Sequence, residues 1–384
     1  MITHMPEKNG AVVPAEEAAA GSGGRHCPSR RELLRALATV AISSPALAAA
    51  ERVQVAVDKG QREATAADVA EGGTTNKPVK KIDTHHHFFP KVYVDAVGME
   101  MLASVMPNGR APTWSPQDAL AMLDANGIQE GILSISSGPP LPNAATLLRQ
   151  CNESAAELRS RYKGRFGSFA SLPLPDVDAS LKEIEYCLDT LKVDGFIIFA
   201  SYEGRYLGDP SFEPVLQELD KRGSVAFIHP NMPPYAIPHV APASVLEFPF
   251  ETTRTAASLI ISGAVTRYRK LRFILSHAGG TLPFLVPRLS LSISMMQGLV
   301  EKIGDPLAAI RSFYFDTALS AGSSTLAALA QVTDPDHILF GTDFPFAPLT
   351  AISMFGKVLD RITVPGIDMP SVYHGSAARL LGRI

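Results

Sequence analysis

Two histidines in the first apolar run have the spacing of metal ligands. His85 and His87 lie two positions apart in Asp83-Thr84-His85-His86-His87. Because side chains alternate along a strand, these two imidazoles point to one side while His86 points to the other. We therefore expect His85 and His87 to face a common site and His86 to be structural. Taken alone, a His-x-His pair is equally well explained by core or surface histidines.

Three further ionisable residues stand at the ends of other apolar runs. They are His229 in Phe227-Ile228-His229-Pro230, His277 in Leu275-Ser276-His277-Ala278, and Asp343 in Gly341-Thr342-Asp343-Phe344. Buried imidazoles and carboxylates without partners are costly, so five such groups at one apolar mouth require a common explanation. A metal site is the simplest one.

The residue types indicate one divalent ion. The predicted ligands are three imidazoles and a carboxylate, namely His85, His87, His229 and Asp343. This set suits Zn²⁺ best, although Mn²⁺, Fe²⁺ and Co²⁺ accept the same ligand types. His277 either completes the shell or, as its separate strand favours, acts as a general base beside a bound water. The fourth apolar run, Gly195 to Ser201, contains no lysine that could bridge a second ion.

The elements that must position these residues alternate along the chain. From Lys80 onward, short apolar runs alternate with longer amphipathic stretches, the pattern of parallel strands joined by helices. We predict strands over Lys81 to Phe88, Gln129 to Ser136, Phe166 to Leu174, Gly195 to Ser201, Val225 to His229, Arg272 to His277, Phe313 to Ala318 and His337 to Asp343. The helical windows include Pro116 to Asn126, Asn143 to Tyr162, Asp178 to Leu191, Phe212 to Arg222 and Thr252 to Tyr268.

This order predicts a TIM-type (β/α)8 barrel, in which active residues stand at the C-terminal ends of the strands. The alternative is a doubly wound α/β sheet. That fold would place a glycine-rich phosphate loop after the first strand, and none follows Lys81 to Phe88.

The N-terminal part of the chain differs from the rest. Ser29-Arg30-Arg31-Glu32-Leu33-Leu34-Arg35 resembles a twin-arginine export signal, and an apolar run and small residues follow it. We predict a signal peptide over 1–48, a flexible linker over 49–79 and the barrel domain over 80–384. The protein would then be periplasmic or secreted. It would be cytoplasmic if the arginine pair merely lies on an amphipathic helix. The apolar run is too short for stable membrane insertion.

Composition excludes several classes of function. The chain has 35 Lys and Arg against 38 Asp and Glu, a formal net charge of −3, and no basic patch that would indicate nucleic-acid binding. Its three cysteines show no CxxC spacing, so neither a zinc ribbon nor a disulfide framework is expected.

At the metal motifs the chain resembles the amidohydrolase superfamily, in particular its metal-dependent decarboxylases, which include aminocarboxymuconate-semialdehyde and 6-methylsalicylate decarboxylases. The likeness covers about residues 80–384. Besides the metal motifs it includes Trp114-Ser115-Pro116, Gly164-Arg165-Phe166-Gly167, Ser171-Leu172-Pro173-Leu174-Pro175, Arg205-Tyr206-Leu207-Gly208-Asp209-Pro210, Phe248-Pro249-Phe250-Glu251-Thr252-Thr253-Arg254 and His277-Ala278-Gly279-Gly280. Near the end, Gly375-Ser376-Ala377-Ala378-Arg379-Leu380 has Ser where the family usually has Asn. That departure should affect packing only.

The resemblance implies the same four ligands, with His277 as the catalytic histidine and Asp343 as a second catalytic group. It implies non-oxidative decarboxylation of a small aromatic, ortho-hydroxybenzoate-like acid or of a dienoic acid, without a redox cofactor. A metal-dependent hydrolase of a lactone, ester or amide is the competing enzyme class, because a metal-bound hydroxide could attack a carbonyl. A binding protein built on a catalytically inactive barrel is disfavoured, because all five ionisable residues at the strand ends are present.

The sequence also suggests candidate substrate-binding residues and an oligomeric state, with less specific motifs than those of the metal site. Phe88, Tyr202 and Phe346 are candidate aromatic walls, together with Phe89 and Phe344, although each alone is more often a core residue. Arg254 and Arg205 are candidate partners of a substrate carboxylate or, alternatively, surface ion pairs. We expect a homodimer. The Pro-rich segment from Met232 to Pro242 caps the site, meets a neighbouring subunit or forms a surface loop.

Overall fold

A computed structural model describes residues 80–106, 108–136, 141–233, 235 and 240–384 of the protein. The predicted signal peptide over 1–48 and linker over 49–79 lie outside these residues. Eight parallel strands form one sheet in which spatial order follows chain order. The strands are β1 (Lys81–His87), β2 (Ile128–Ser134), β3 (Phe166–Ser171), β4 (Gly195–Phe199), β5 (Val225–His229), β6 (Arg272–Leu275), β7 (Tyr314–Asp316) and β8 (Ile338–Leu339).

Nearly every strand residue is buried. All five residues of β4 and all five of β5 are inaccessible, so neither strand has a solvent face. Parallel strands covered on both sides have continuous apolar sequences instead of alternating ones, as in Gly195-Phe196-Ile197-Ile198-Phe199. The apolar runs therefore form the inner wall of the fold.

The sheet closes between its first strand and the segment after its last. The Thr84 amide donates to the Phe340 carbonyl at 3.0 Å, and the His87 amide donates to the Phe344 carbonyl at 2.7 Å. Between them the buried Asp83 carboxylate accepts hydrogen bonds from the Thr342 amide (2.9 Å) and hydroxyl (2.6 Å). The predicted (β/α)8 barrel is confirmed.

Helices follow the strands and cover the sheet. They are α1 (Lys91–Ser104), α2 (Pro116–Ala125), α3 (Ala144–Arg161), α4 (Val177–Tyr186), α5 (Glu213–Lys221), α6 (Glu247–Ile261), α7 (Ala264–Arg267), α8 (Leu282–Ser294), α9 (Gln297–Ile303), α10 (Pro306–Arg311), α11 (Ser323–Val332), α12 (Leu349–Leu359) and α13 (Ser376–Leu380). Ser201–Tyr202 and Arg205–Tyr206 form a short antiparallel hairpin. No helix within the described ranges is long and apolar enough to cross a membrane.

Several predicted boundaries differ from the structure, and two differ for reasons visible in the backbone. The window from Thr252 to Tyr268 contains two helices, and α6 begins earlier, at Glu247. The break falls at Gly263, whose φ of 72° is left-handed and ends a helix. The last strand stops at Leu339 instead of Asp343, and beyond it the Thr342 amide bonds to the Asp83 side chain instead of to a neighbouring backbone.

The N-terminal end of the barrel is tied by one arginine at the end of the chain. Arg383 binds Glu130 at the start of β2 and Asp194 just before β4, with N–O distances of 2.7 Å to each. The second oxygen of Asp194 accepts the Ser168 amide of β3 at 2.8 Å. One guanidinium thus neutralises two carboxylates that are 10% and 6% exposed.

We expect Arg383→Ala to lower the free energy of unfolding by about 2–4 kcal/mol, because it leaves two mostly buried carboxylates without their cation. Urea unfolding followed by circular dichroism measures this loss. Arg361→Ala is the control, since Arg361 is exposed on the surface and its loss should cost no more than about 0.5 kcal/mol. Equal costs for the two variants would contradict a structural role for Arg383.

Candidate metal centre

Four side chains converge at the C-terminal ends of the strands. His85 and His87 project from β1, His229 ends β5, and Asp343 follows β8. One donor atom from each lies within 4.8 Å of the others, and all four residues are buried. His86 lies outside this group, with its Nδ1 3.2 Å from Asp83 and its ring against Phe344. The predicted metal site is therefore present at one barrel mouth.

The spacing of the donor atoms suits a small ion. His85 Nε2 and His87 Nε2 are 3.1 Å apart, and they lie 3.3 and 3.2 Å from the same Asp343 oxygen. Ligands about 2.0–2.2 Å from a tetrahedral ion would be separated by about 3.3–3.6 Å. These three atoms therefore already stand close to the edges of a coordination tetrahedron.

The charges at the site also call for a cation. Burial alone would lower the pKa of His85, but the carboxylates of Asp316 and Asp343 on either side raise it to about 10. Burial likewise opposes ionisation of Asp343, yet His85, His277 and His87 hold its pKa well below the usual range. Two buried carboxylates thus compete for positive charge at His85. A divalent ion would supply that charge directly.

The other two imidazoles have the protonation state that ligation requires. Burial lowers the pKa of His87, with His85 contributing further. Burial and the neighbouring histidines lower the pKa of His229 well below its usual value. Both rings are therefore neutral at pH 7, and a neutral imidazole is the form that binds a metal.

One side of the centre remains reachable. The side chains of His85 and His87 are fully buried, whereas those of Asp343 and His277 are about one-tenth exposed. Strand β4 offers no ligand, and its last residue, Phe199, packs its ring edge-on against His229. These four side chains form a candidate site for a divalent ion, and it is reached from the Asp343 and His277 side.

His277 stands directly beside the four ligands. Its Nε2 is 3.6 Å from the Asp343 oxygen that faces away from His85 and His87, and its ring centre is 4.9 Å from that of His85. His277 and Asp343 both adopt left-handed backbone, with φ of 54° and 64°. Such conformations are costly for residues with a side chain and cluster at functional sites. The two residues expected to handle protons are therefore both held in strained turns.

Two residues that position the ligand rings were missed by the sequence analysis. The Asp316 carboxylate lies 2.7 Å from His85 Nδ1, and the Ser134 hydroxyl lies 3.2 Å from His87 Nδ1. Both end a strand, β7 and β2, as His87 and His229 do. The predicted runs continued past both residues, to Ser136 and Ala318, so neither stood out at a strand end.

The predicted substrate contacts are distributed unevenly around the centre. Phe346 packs edge-on against His87 with ring centres 5.4 Å apart, and Phe89 packs against Phe346. Phe88 is buried against Trp114. Among these, Phe346 is the aromatic side chain that directly contacts a ligand.

Tyr202 and Arg254 have partners of their own. The Tyr202 hydroxyl accepts the Phe199 amide at 2.9 Å within the barrel wall, and burial raises the pKa of that hydroxyl. Arg254 pairs with the buried Glu251 at 2.8 Å and lies over the Tyr235 ring. Their roles in substrate binding stay predictions.

Comparison with known proteins agrees with this architecture. A family model described as amidohydrolase matches residues 82–383. The 6-methylsalicylic acid decarboxylase of Penicillium expansum is 38% identical over 79% of this chain and 97% of its own length. The gamma-resorcylate decarboxylase of Rhizobium radiobacter is 29% identical over 68% of this chain and 85% of its own.

A solved structure has the same fold. The dihydroxybenzoic acid decarboxylase from Polaromonas sp. JS666, with bound manganese and 2-nitroresorcinol, superposes with a TM-score of 0.64 at 22% identity, covering 79% of this chain and 97% of that one. The family match spans the whole barrel, from β1, which carries His85 and His87, to Arg383, which binds Glu130 and Asp194 at the N-terminal end of the barrel. This chain belongs to the amidohydrolase family.

Proposed function

We propose that this protein is a metal-dependent decarboxylase of a small aromatic carboxylic acid, most readily one with an ortho hydroxyl group. The observation that carries this is the single four-ligand site that is reachable beside His277. Relatives that act on 6-methylsalicylic acid and gamma-resorcylate support the substrate class. A dienoic acid is a second substrate class for the same site, supported by a relative that acts on 2-amino-3-carboxymuconate-6-semialdehyde.

His85, His87, His229 and Asp343 would hold the ion. When bound, the ion supplies Lewis-acid attraction for the substrate carboxylate and ortho hydroxyl. Phe346 would then line the substrate ring, since it already packs against His87, and Phe88 and Tyr202 would add further aromatic surface. Arg254, whose side chain is 40% exposed, would meet a carboxylate arriving from solvent.

His277 and Asp343 would hold and transfer the proton that the reaction adds to the substrate ring. His277 Nε2 and Asp343 Oδ2 are 3.6 Å apart, which is too long for a direct hydrogen bond, so they would share a proton through one water. Delivery of that proton to the ring carbon bearing the carboxylate interrupts aromaticity. The bond to the carboxylate then breaks, its electron pair returns to the ring, and CO₂ leaves. No electron is gained or lost, so the reaction needs no redox cofactor.

We also propose Zn²⁺ as the resident ion. Three imidazoles and one carboxylate suit its tetrahedral preference, and the donor atoms of His85, His87 and Asp343 are 3.1–3.3 Å apart. Mn²⁺, Fe²⁺ and Co²⁺ take the same ligand types, and manganese is the ion in the neighbour from Polaromonas.

Export and pairing complete the proposal. The segment over 1–48 would act as a twin-arginine signal peptide that directs the protein to the periplasm or outside the cell. A homodimer would cover the exposed apolar stripe of α8 and the residues after it. Phe284 and Met295 are each nearly four-fifths exposed, and Leu291 and Met296 are more than half exposed. Contiguous apolar surface of this kind marks an interaction site.

The reaction is tested by supplying the purified protein with a panel of carboxylic acids and lactones. We expect CO₂ release from 6-methylsalicylate and other ortho-hydroxybenzoates, lost on chelation of the metal and restored on its return. Aromatic lactones and esters should not turn over. Hydrolysis of those compounds without CO₂ release would replace the decarboxylase with the competing hydrolase.

The roles of His277 and Asp343 separate when metal content and turnover are measured together. His277→Ala should keep one equivalent of metal while turnover falls about 100-fold or more, the usual effect of losing an acid–base group. Asp343→Ala should lose both, because it removes a ligand. His337→Ala is the control, because His337 precedes β8 at the opposite end of the barrel. Metal loss in His277→Ala would make His277 a ligand instead.

The dimer is tested by sedimentation velocity. For residues 1–384 we expect the native protein to sediment at twice the chain mass of 41.1 kDa. Met295→Glu places a charge in the apolar stripe, so we expect this variant to shift toward the monomer mass. A native protein that sediments as a monomer would contradict the pairing.

A further inference from the structure

One carboxylate beneath the metal centre has both of its oxygens committed to the site. Asp316 ends β7 and is fully buried. Its Oδ2 lies 2.7 Å from His85 Nδ1. Its Oδ1 accepts the backbone amides of His277 at 2.9 Å and Ala318 at 3.0 Å. A ligand ring and the turn that presents His277 therefore share a single partner.

The contact with His85 determines which ring nitrogen faces the ion. An ionised carboxylate accepts hydrogen bonds only, so the nitrogen that faces Asp316 must carry a proton. The lone pair of a neutral His85 is then on Nε2, which lies 3.3 Å from Asp343 and 3.1 Å from His87 Nε2. Partners of this kind fix the tautomer and orientation of metal-binding histidines.

The two β1 ligands are not held equally. His87 Nδ1 has the neutral Ser134 hydroxyl as its partner, at 3.2 Å. The bond from His85 to Asp316 is shorter and involves a charged acceptor, and charge-assisted hydrogen bonds are roughly twice as strong as neutral ones. Asp316 therefore constrains its ligand ring more tightly than Ser134 does.

The other oxygen of Asp316 stabilises a costly conformation. His277 has a φ of 54° and Ala278 one of 56°, both left-handed without being glycine. The amide of His277 would be left without this acceptor if the carboxylate were removed. The bond from Asp316 Oδ1 thus anchors the strained turn at its first residue.

We propose that Asp316 is the positioning residue of the metal centre: it makes His85 an Nε2 ligand and anchors the turn that places His277 beside Asp343. The inference deepens the proposed function, but its readout is metal affinity. The role of Asp316 can therefore be confirmed or rejected independently of whether the protein is a decarboxylase.

The decisive variant is Asp316→Asn, which keeps the shape of the side chain. If the amide oxygen stays on the two backbone amides, the new NH₂ points at His85 Nδ1 and must donate to it. The proton of the ring then moves to Nε2, where the ion should bind. We expect Mn²⁺ to bind the metal-free variant about 10- to 100-fold more weakly than native protein by titration calorimetry.

Asp83→Asn is the matched control. Asp83 is also a fully buried carboxylate on a barrel strand, and its Oδ1 accepts the backbone amides of His85 and Thr342. It contacts the ring of His86, which is not a ligand. This variant removes the same charge near the ion, and we expect Mn²⁺ affinity within about threefold of native. An equal loss in both variants, or no loss in Asp316→Asn, would overturn the assignment.

A second measurement does not depend on either variant folding. Native protein labelled with ¹⁵N-histidine and loaded with diamagnetic Zn²⁺ should show His85 with its proton on Nδ1 and the metal on Nε2. A proton on Nε2, with the metal on Nδ1, would overturn the proposal even if both variants failed to fold.

Discussion

The rest of the site depends on one imidazole placed between two buried carboxylates. His85 meets Asp316 through one ring nitrogen and Asp343 through the other. Two such charges in an interior are costly unless a cation balances them. With an ion at the centre, His85 can remain neutral while both carboxylates stay ionised. The folded protein therefore already places two carboxylates, Asp316 and Asp343, where they can balance the charge of a bound cation.

The barrel makes this arrangement possible by aligning strand ends that are distant in sequence. His87 is opposite Ser134 in the pairing of β1 with β2, and Phe199 is opposite His229 in the pairing of β4 with β5. The metal ligands and the residues that contact them therefore lie at the same height along the barrel axis. Close packing supports them: a side chain at Gly341 would place its first carbon 2.9 Å from the Cβ of His85. Glycine there leaves room for the ligand.

Much of this could be predicted from local sequence. Strand alternation was sufficient to pair His85 with His87, and the polar ends of apolar runs located His229, His277 and Asp343. Other features depend on contacts that local pattern does not encode. The bond from Asp316 to His85 spans 231 positions, and the Thr342 amide just beyond β8 bonds to Asp83, 259 positions away.

The closure of the sheet has a consequence for how the site comes into being. Asp83 and Thr342, which bond across the seam, are 259 positions apart, and β1 lies among the first described residues while Asp343 lies near the last. Contacts between such distant segments form slowly, because the chain entropy of a long loop must be overcome first. A chain still emerging from the ribosome holds His85 and His87 long before Asp343 exists. The complete ligand set is thus a property of the finished barrel, in which residues from both ends of the domain meet.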